Sequence, residues 1–257
     1  NAKTFDVIRY ILPATMLTSL GVTWPTREAE RHISQLLSAP HEELRSVGKA
    51  LLEEGKKISP GLLSHVAINE HQVSRRENIQ KLHKKIKLDS PTSIMGRNEN
   101  SVKLVSISSH MDARIAASIL YETGLNANTY KDYVALCLKD KKMVDKTFKA
   151  YLEDRGKFDP FPISTEVGNI LFEVRMDFGA YRDLQRHRRN LFLRAPTNPL
   201  LGFEYPEYVE NNPELVEVKK KIDFCAEKTV KLYNLVKKKF PHLAEYIIMF
   251  AHKQQVL

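Results

Sequence analysis

The sequence predicts an α+β fold, mostly helical with a small antiparallel sheet. Apolar residues recur at helical spacing through most of the 257 residues, whereas only two segments have the pattern of strands. Apolar side chains make up 42% of the chain, which is enough for a folded core and excludes a disordered protein. Few strands among many helices are typical of the α+β class, and this length allows one large domain or two small ones.

The N-terminal part is predicted to be helical. Helices are expected at Thr4 to Leu20, Pro25 to Ser38, Pro40 to Lys57 and after Ser59-Pro60. Proline suits the first turn of a helix, where a backbone N–H has no helical partner in any case, and this places the second start at Pro25. Residues 69–100 begin polar and basic and end rich in Ser, Pro, Gly and Asn, so we interpret them as a linker.

Beyond the linker the pattern alternates between strands and helices. A strand is predicted at Val102 to Ile107, followed by helices at His110 to Glu122, Ala127 to Leu138 and Lys142 to Arg155. From Ile170 to Phe178, every second residue is apolar, which is the period of a strand that buries one face. A lysine-rich helix is expected from Glu214 to Lys239, and Pro241 opens the last helix.

The densest cluster of cations follows the second strand. Gly179 breaks the alternation, and on a helix Arg182, Arg186 and Arg189 would lie at i, i+4 and i+7 as one stripe. Guanidinium groups this close repel one another unless an anion lies among them, and arginine forks fit phosphate and carboxylate in pairs. The stripe therefore predicts a phosphate-bearing ligand, and the alternative is a solvated basic helix face.

The cluster contains the string Arg186-His187-Arg188, directly after Phe178-Gly-Ala-Tyr-Arg-Asp-Leu-Gln. In this context the string resembles the Arg-His-Arg signature of flavin-dependent thymidylate synthases, and it looks closest to the second half of the long, duplicated members. The segment Gly202-Phe-Glu-Tyr205 adds to the likeness. The resemblance implies a small antiparallel sheet flanked by helices, with FAD bound at a subunit interface. It also implies that a one-carbon unit passes from methylenetetrahydrofolate to dUMP, with NADPH as the reductant, to give dTMP.

Carried over by position, the resemblance makes Arg186, His187 and Arg188 the FAD-binding residues. Arg194 and Thr197 become the candidates for binding the substrate phosphate, and a surface cation is the alternative interpretation of Arg194. The sequence assigns no catalytic residue and no metal ligand. It has no Gly-rich phosphate loop, no nucleophile elbow and no zinc-binding histidine pair, so a bound cofactor would carry any chemistry.

Several positions depart from the family pattern. Pro196 stands where the family has a serine that helps to hold the nucleotide, and Thr15 stands where it commonly has a flavin-binding asparagine. No arginine lies between Arg31 and Arg45, in the region where the family supplies a substrate arginine. Each loss removes a ligand contact. We therefore expect a thymidylate synthase-like methyltransferase of degenerate activity; a non-catalytic scaffold half that completes another subunit's site is the alternative.

An internal match indicates duplication. Residues 8–14 can be laid over 244–250, and Arg9-x-x-Leu12-Pro13 resembles an element that in the family follows the Arg-His-Arg region. We therefore expect the chain to begin partway through one repeat and to stop partway through the next. The expected divisions are the C-terminal helical part of a first repeat at 1–68, the linker at 69–100 and a second, incomplete repeat at 101–257.

The net charge of +9 suits an anionic partner, which the resemblance makes a dUMP-like nucleotide. The lysine clusters lack interleaved aromatic residues, which favours solvated helix faces over nucleic-acid binding. A basic protein that binds nucleotides or nucleic acid through the same arginines stays as a further alternative.

The remaining expectations concern compartment and assembly. No apolar run is long enough for a membrane span, and Cys137 and Cys225 have the surroundings of reduced core thiols, which is typical of the cytoplasm. Two apolar stripes, Val7-Ile11-Ala14 and Tyr246-Ile247-Phe250, would be exposed in a chain cut across a repeat. We therefore expect a homo-oligomer, with a dimer as the first choice.

Overall fold

A computed structural model describes residues 2–86, 101–124, 127–187 and 189–257. The chain divides into two compact units, neither of which is a single stretch of sequence. Unit 1 consists of Asn1–Glu99, Met176–His187 and Ala195–Gln254, and unit 2 of Asn100–Arg175, Arg188–Arg194 and Gln255–Leu257. This is a division by compactness, and the repeat boundaries expected from the sequence stay a prediction.

Helices occupy most of the first 86 residues. They are α1 (Ala2–Arg9), α2 (Thr26–Leu37), α3 (Glu42–Ile58), α4 (Pro60–Leu63) and α5 (Glu70–His83). The predicted helices after Pro25, Pro40 and Ser59 are thus confirmed. The buried side chains of Ile33, Leu37, Leu63 and Val66 form a core among them. The first half of the predicted linker is α5, and residues 87–100 lie outside the described part of the chain.

The predicted helix from Thr4 to Leu20 is wrong beyond Arg9. The chain there pairs with a distant segment through three backbone bonds: Ala251 N–H to Tyr10 O (2.9 Å), Phe250 N–H to Leu12 O (3.0 Å) and Ala14 N–H to Ile248 O (2.8 Å). Pro13 has no N–H and fits poorly inside a helix, whereas it is tolerated in an extended segment. The two segments that carry the predicted apolar stripes therefore pair with each other inside unit 1. Ile11 stays 38% exposed, and the expected homo-oligomer stays a prediction.

Unit 2 contains a core of three helices. These are α6 (Met111–Thr123), α7 (Tyr130–Lys139) and α8 (Lys141–Leu152), and all three confirm predicted helices. Small side chains of α6 (Ala113, Ala116 and Ala117) pack against Cys137 of α7 and Val144 of α8. Thr129 begins α7 with a reciprocal cap, since its side chain accepts the Asp132 N–H and the Asp132 carboxylate accepts the Thr129 N–H.

A three-stranded sheet completes the α+β class that the sequence predicted. Its strands are β1 (Ser101–Ile107), β2 (Ile170–Asp177) and β3 (Lys253–Val256), in the spatial order β1-β2-β3. β1 and β2 are antiparallel, with a bulge between Leu104 and Ser106. Both confirm predicted strands, but the prediction of which β2 residues are buried is wrong. Ile170 and Phe172 are exposed, while Asp177, expected on the solvent side, is buried.

The remaining helices are α9 (Phe178–Leu184), α10 (Glu207–Glu210) and α11 (Val216–Lys239). α11 confirms the predicted lysine-rich helix. The helix expected to begin at Pro241 is wrong, because this segment forms only a 3-10 turn at Ala244–Ile247 before it enters the pairing with residues 10–14. None of the helices in the described ranges has the length and apolar character needed to cross a membrane.

Candidate functional site

Two segments of unit 1 meet where β2 ends. Asp177, its last residue, is buried and caps α9, because its carboxylate accepts the Ala180 N–H at 3.0 Å. The backbone N–H of the next residue, Phe178, donates to the carbonyls of Phe250 (3.1 Å) and His252 (3.2 Å). The rings of Phe178 and Phe250 lie 5.1 Å apart. These contacts fix the start of α9 against residues 250–252.

The N-terminal segment joins the other two through the Tyr10–Ala251 hydrogen bond. A cavity of about 280 Å³ opens among the three segments. It is lined by three arginines (Arg9, Arg182 and Arg186), two aspartates (Asp177 and Asp183), two aromatic residues (Tyr10 and Phe250), Gly179 and Ala180. Residues far apart in the sequence therefore surround one space.

Cations outnumber anions around this cavity. Of the two carboxylates, Asp177 already accepts the Ala180 N–H, and Asp183 lies 3.4 Å from the Arg186 guanidinium. Arg186 and Asp183 are both largely exposed, and an ion pair of this kind contributes only about 0–1 kcal/mol. Arg186 can therefore exchange Asp183 for a stronger anion. Arg182 lies with its guanidinium carbon 5.5 Å from the centroid of the Phe250 ring.

The predicted FAD-binding residues differ in position. Arg186 lines the cavity. His187 is exposed, does not line it, and donates its backbone N–H to the Leu184 carbonyl at 3.1 Å. Arg188 lies outside the described residues.

The predicted helical stripe of arginines is wrong. α9 ends at Leu184, so Arg186 and Arg189 do not continue the helical face of Arg182. Arg189 belongs to unit 2, where its guanidinium contacts the Glu166 carboxylate at 2.7 Å. The cavity nevertheless brings Arg182 and Arg186 together, by a turn instead of a helix.

The two candidates for binding a substrate phosphate lie in different units. Thr197, in unit 1, is buried, and its hydroxyl donates to the Gln254 side-chain oxygen at 2.8 Å. Arg194, in unit 2, is exposed, and its backbone forms an isolated bridge with Val256. Their role with a substrate stays a prediction.

Arg9, Tyr10 and Phe250 were not among the site residues predicted from the sequence. Part of the signal was present, because the match of residues 8–14 with 244–250 singled out the two segments that supply them. What the match does not show is that these segments pair with each other beside α9.

A run of buried polar residues follows Phe250. His252, Lys253 and Gln254 are all fully buried. His252 accepts the Met249 N–H on Nδ1 at 3.2 Å, and burial lowers its pKa to about 4. The ring is therefore neutral at neutral pH and adds no charge to the site.

The chain has relatives of similar sequence, but their names state no activity. No family model matches it. It is 27% identical over 265 residues to a UPF0159 protein of Chlamydia muridarum and 26% identical over 261 residues to one of Thermoplasma acidophilum. These alignments cover 98% and 100% of this chain but 48% and 50% of the relatives, so the chain spans about half the length of the curated relatives it matches.

Among solved structures, the chain is similar to the UMP/dUMP methylase PolB from Streptomyces cacaoi, crystallised with 5-Br dUMP. The TM-score is 0.40 and the identity 15%, over 62% of this chain and 72% of that one. A likeness at this level carries no argument about function.

Proposed function

We propose that the chain binds FAD through the arginine-lined cavity, as part of a protein that methylates a dUMP-like nucleotide with NADPH and methylenetetrahydrofolate as co-substrates. The observation that supports this most is the position of Arg186. It belongs to the string that resembles the flavin signature, and it shares a cavity with Arg9 and Arg182 from other parts of the sequence.

The lining of the cavity fits the diphosphate of FAD. Each guanidinium presents paired N–H donors that match phosphate oxygens, and the three guanidinium groups outnumber the two carboxylates in the lining. The volume of about 280 Å³ lies just below the range of roughly 300–1,000 Å³ for ligand pockets, so the cavity suits the anionic part of a cofactor better than its whole length. Tyr10 and Phe250 add aromatic surface to the lining.

In this proposal the flavin supplies the redox chemistry and the chain supplies charge and position. Arg9, Arg182 and Arg186 hold the diphosphate, and His187 and Arg188 contact other parts of FAD. The capped start of α9 positions Arg182 beside Phe250. Arg194 and Thr197 are assigned to the substrate phosphate. To bind it, the Thr197 hydroxyl would have to break its hydrogen bond to Gln254.

Substitution of the cavity arginines tests flavin binding. Arg186→Ala should weaken FAD affinity by roughly 10- to 100-fold, because a charge-assisted hydrogen bond to phosphate is lost. Arg9→Ala should also weaken FAD affinity. If only the Arg-His-Arg string bound FAD, Arg9→Ala would leave the affinity unchanged. Titration of FAD with protein, followed by flavin fluorescence, measures both.

Arg31→Ala is the matched control. Like Arg186, Arg31 is exposed and pairs with a carboxylate three residues earlier, Glu28 at 2.7 Å, but it does not line this cavity. Equal losses from Arg31→Ala and Arg186→Ala would contradict the proposal. A chain that does not bind FAD at all would indicate the scaffold alternative. Equal affinity for FAD and for a DNA oligonucleotide would indicate the nucleic-acid alternative.

A further inference from the structure

The sheet of unit 2 has an apolar face that is exposed. Residues opposite each other in an antiparallel pair lie on the same face, and Leu104 lies opposite Phe172 and Ile107 opposite Ile170. Val102 belongs to this face as well. The exposed fractions of the five side chains are 68% for Val102, 57% for Leu104, 54% for Ile107, 47% for Ile170 and 42% for Phe172.

The opposite face of the same strands is polar, apart from Leu171. Lys103 lies opposite Glu173, and Ser106 lies on this side next to the bulge. A sheet with one apolar and one polar face normally turns the apolar face toward a core. Among the described residues of unit 2, the helical core of α6, α7 and α8 includes no side chain of either strand. The described residues of unit 2 therefore leave the apolar face exposed.

The face is large for a monomer. Five apolar side chains at about half exposure leave roughly 500 Å² uncovered, which is near the upper end for the largest patch on a typical monomer. Two such faces packed together would bury roughly 1,000 Å² of apolar surface before the rim is counted. That approaches the total of about 1,200–2,000 Å² found in stable interfaces.

We propose that the face formed by Val102, Leu104, Ile107, Ile170 and Phe172 is the docking surface for a second copy of this chain, sheet against sheet. A two-fold interface brings the same patch of both copies together, so the patch must be compatible with itself. None of the five side chains is charged, and Lys103 and Glu173 stay on the outer faces. Two copies therefore meet here without placing like charges together, despite the net charge of +9 on each.

A partner with a charged surface fits this face poorly. It would lose the hydration of its charges and find no counter-charge among the five side chains. The apolar, self-compatible surface favours an identical sheet, which packs at about 10 Å as in β-sandwiches. The proposal is independent of flavin binding.

A charge on the apolar face tests the proposal. The unaltered chain should elute, in size exclusion with light scattering at micromolar concentration, with twice the mass of 29.6 kDa. Leu104→Glu should raise the dimer dissociation constant by roughly 100-fold, because an unpaired carboxylate would be buried in the contact. Phe172→Glu, on the neighbouring strand, should act alike. Circular dichroism of both variants checks that they keep the helical content of the parent.

Ser106→Glu is the matched control, since it makes the same change of charge on the same strand but on the polar face. It should leave the dimer intact. A monomeric unaltered chain would overturn the proposal. So would a dimer that Leu104→Glu and Ser106→Glu affect equally, or an assembly larger than a dimer that survives both Leu104→Glu and Phe172→Glu. If Leu104→Glu fails to fold, Leu104→Thr keeps a strand-forming residue and should weaken the dimer by removing apolar area.

Discussion

Burial in unit 1 keeps the His252 ring uncharged at neutral pH. Its Nδ1 accepts the Met249 N–H, which leaves the proton on Nε2, and Nε2 is buried without a hydrogen-bond partner in the described part of the chain. Burial lowers the pKa of the ring from its usual 6.5 to about 4. A proton added to the folded protein would create an unpaired buried charge, whereas in the unfolded chain the charged ring would be hydrated.

We expect the protein to lose stability as the pH falls from about 6.5 to about 4. In this window the unfolded chain binds a proton at His252 that the folded chain does not bind, so the free energy of unfolding decreases by roughly 3 kcal/mol in total. Above this window His252 contributes no pH dependence. Urea unfolding at pH 7 and at pH 4, followed by circular dichroism, measures the difference.

The His252→Gln variant isolates this effect from that of the carboxylates. Glutamine keeps an acceptor for the Met249 N–H but does not titrate. The loss of stability between pH 7 and pH 4 should therefore be smaller in the variant than in the unaltered chain. Equal losses in the two proteins would show that His252 does not resist protonation in the fold.

At the scale of the elements, Gly48 of α3 lies directly against α2. A Cβ at this position would lie 2.9 Å from the Leu36 Cβ and 3.1 Å from the Leu37 backbone nitrogen. These atoms belong to the backbone or are attached directly to it, so they cannot rotate away. A side chain at Gly48 would therefore push the two helices apart and disturb the core that contains Ile33 and Leu37.

Gly48→Ala should lower the free energy of unfolding by roughly 1–3 kcal/mol, because overpacking outweighs the better helix propensity of alanine. Gly61→Ala, in α4, is the control, since a Cβ there would have no atom within 4 Å. It should leave stability unchanged or raise it slightly. Thermal unfolding of both variants measures their stability. A Gly48→Ala protein as stable as Gly61→Ala would contradict the prediction, because it would show that the two helices can move apart at no cost in free energy.

Elements with local signals were predictable from the sequence, and those set by distant pairing were not. Pro25 correctly marked the start of α2, and alternation correctly located β2. The apolar period from Thr4 to Leu20 was equally clear, yet the residues beyond Arg9 pair with 248–251, and no local pattern encodes that partner. For the same reason, the sequence predicted Arg186 as a ligand-binding residue but did not predict Phe250. Phe250 lines the cavity because its segment pairs with residues 10–14.

At the scale of the whole molecule, the two units contribute different surfaces. Unit 1 contains the arginine-lined cavity, and unit 2 contains the apolar sheet face. The chain passes from one unit to the other within β2 and again within β3. Neither unit can therefore be excised as one stretch of sequence, and binding and assembly are to be measured on the whole chain.

We expect the whole chain to bind flavin without converting dUMP to dTMP. Pro196 has no hydroxyl, the Thr197 hydroxyl is buried and donates to Gln254, and residues 32–44 contain no arginine. Of the two residues assigned to the substrate phosphate, Arg194 alone can offer a charge-assisted contact, so the phosphate would be weakly held. Tritium release from labelled dUMP, with FAD, NADPH and methylenetetrahydrofolate present, should stay at the level of a protein-free control. Turnover within the range of about 1–10³ per second that is typical of enzymes would contradict this expectation and show that other residues hold the substrate.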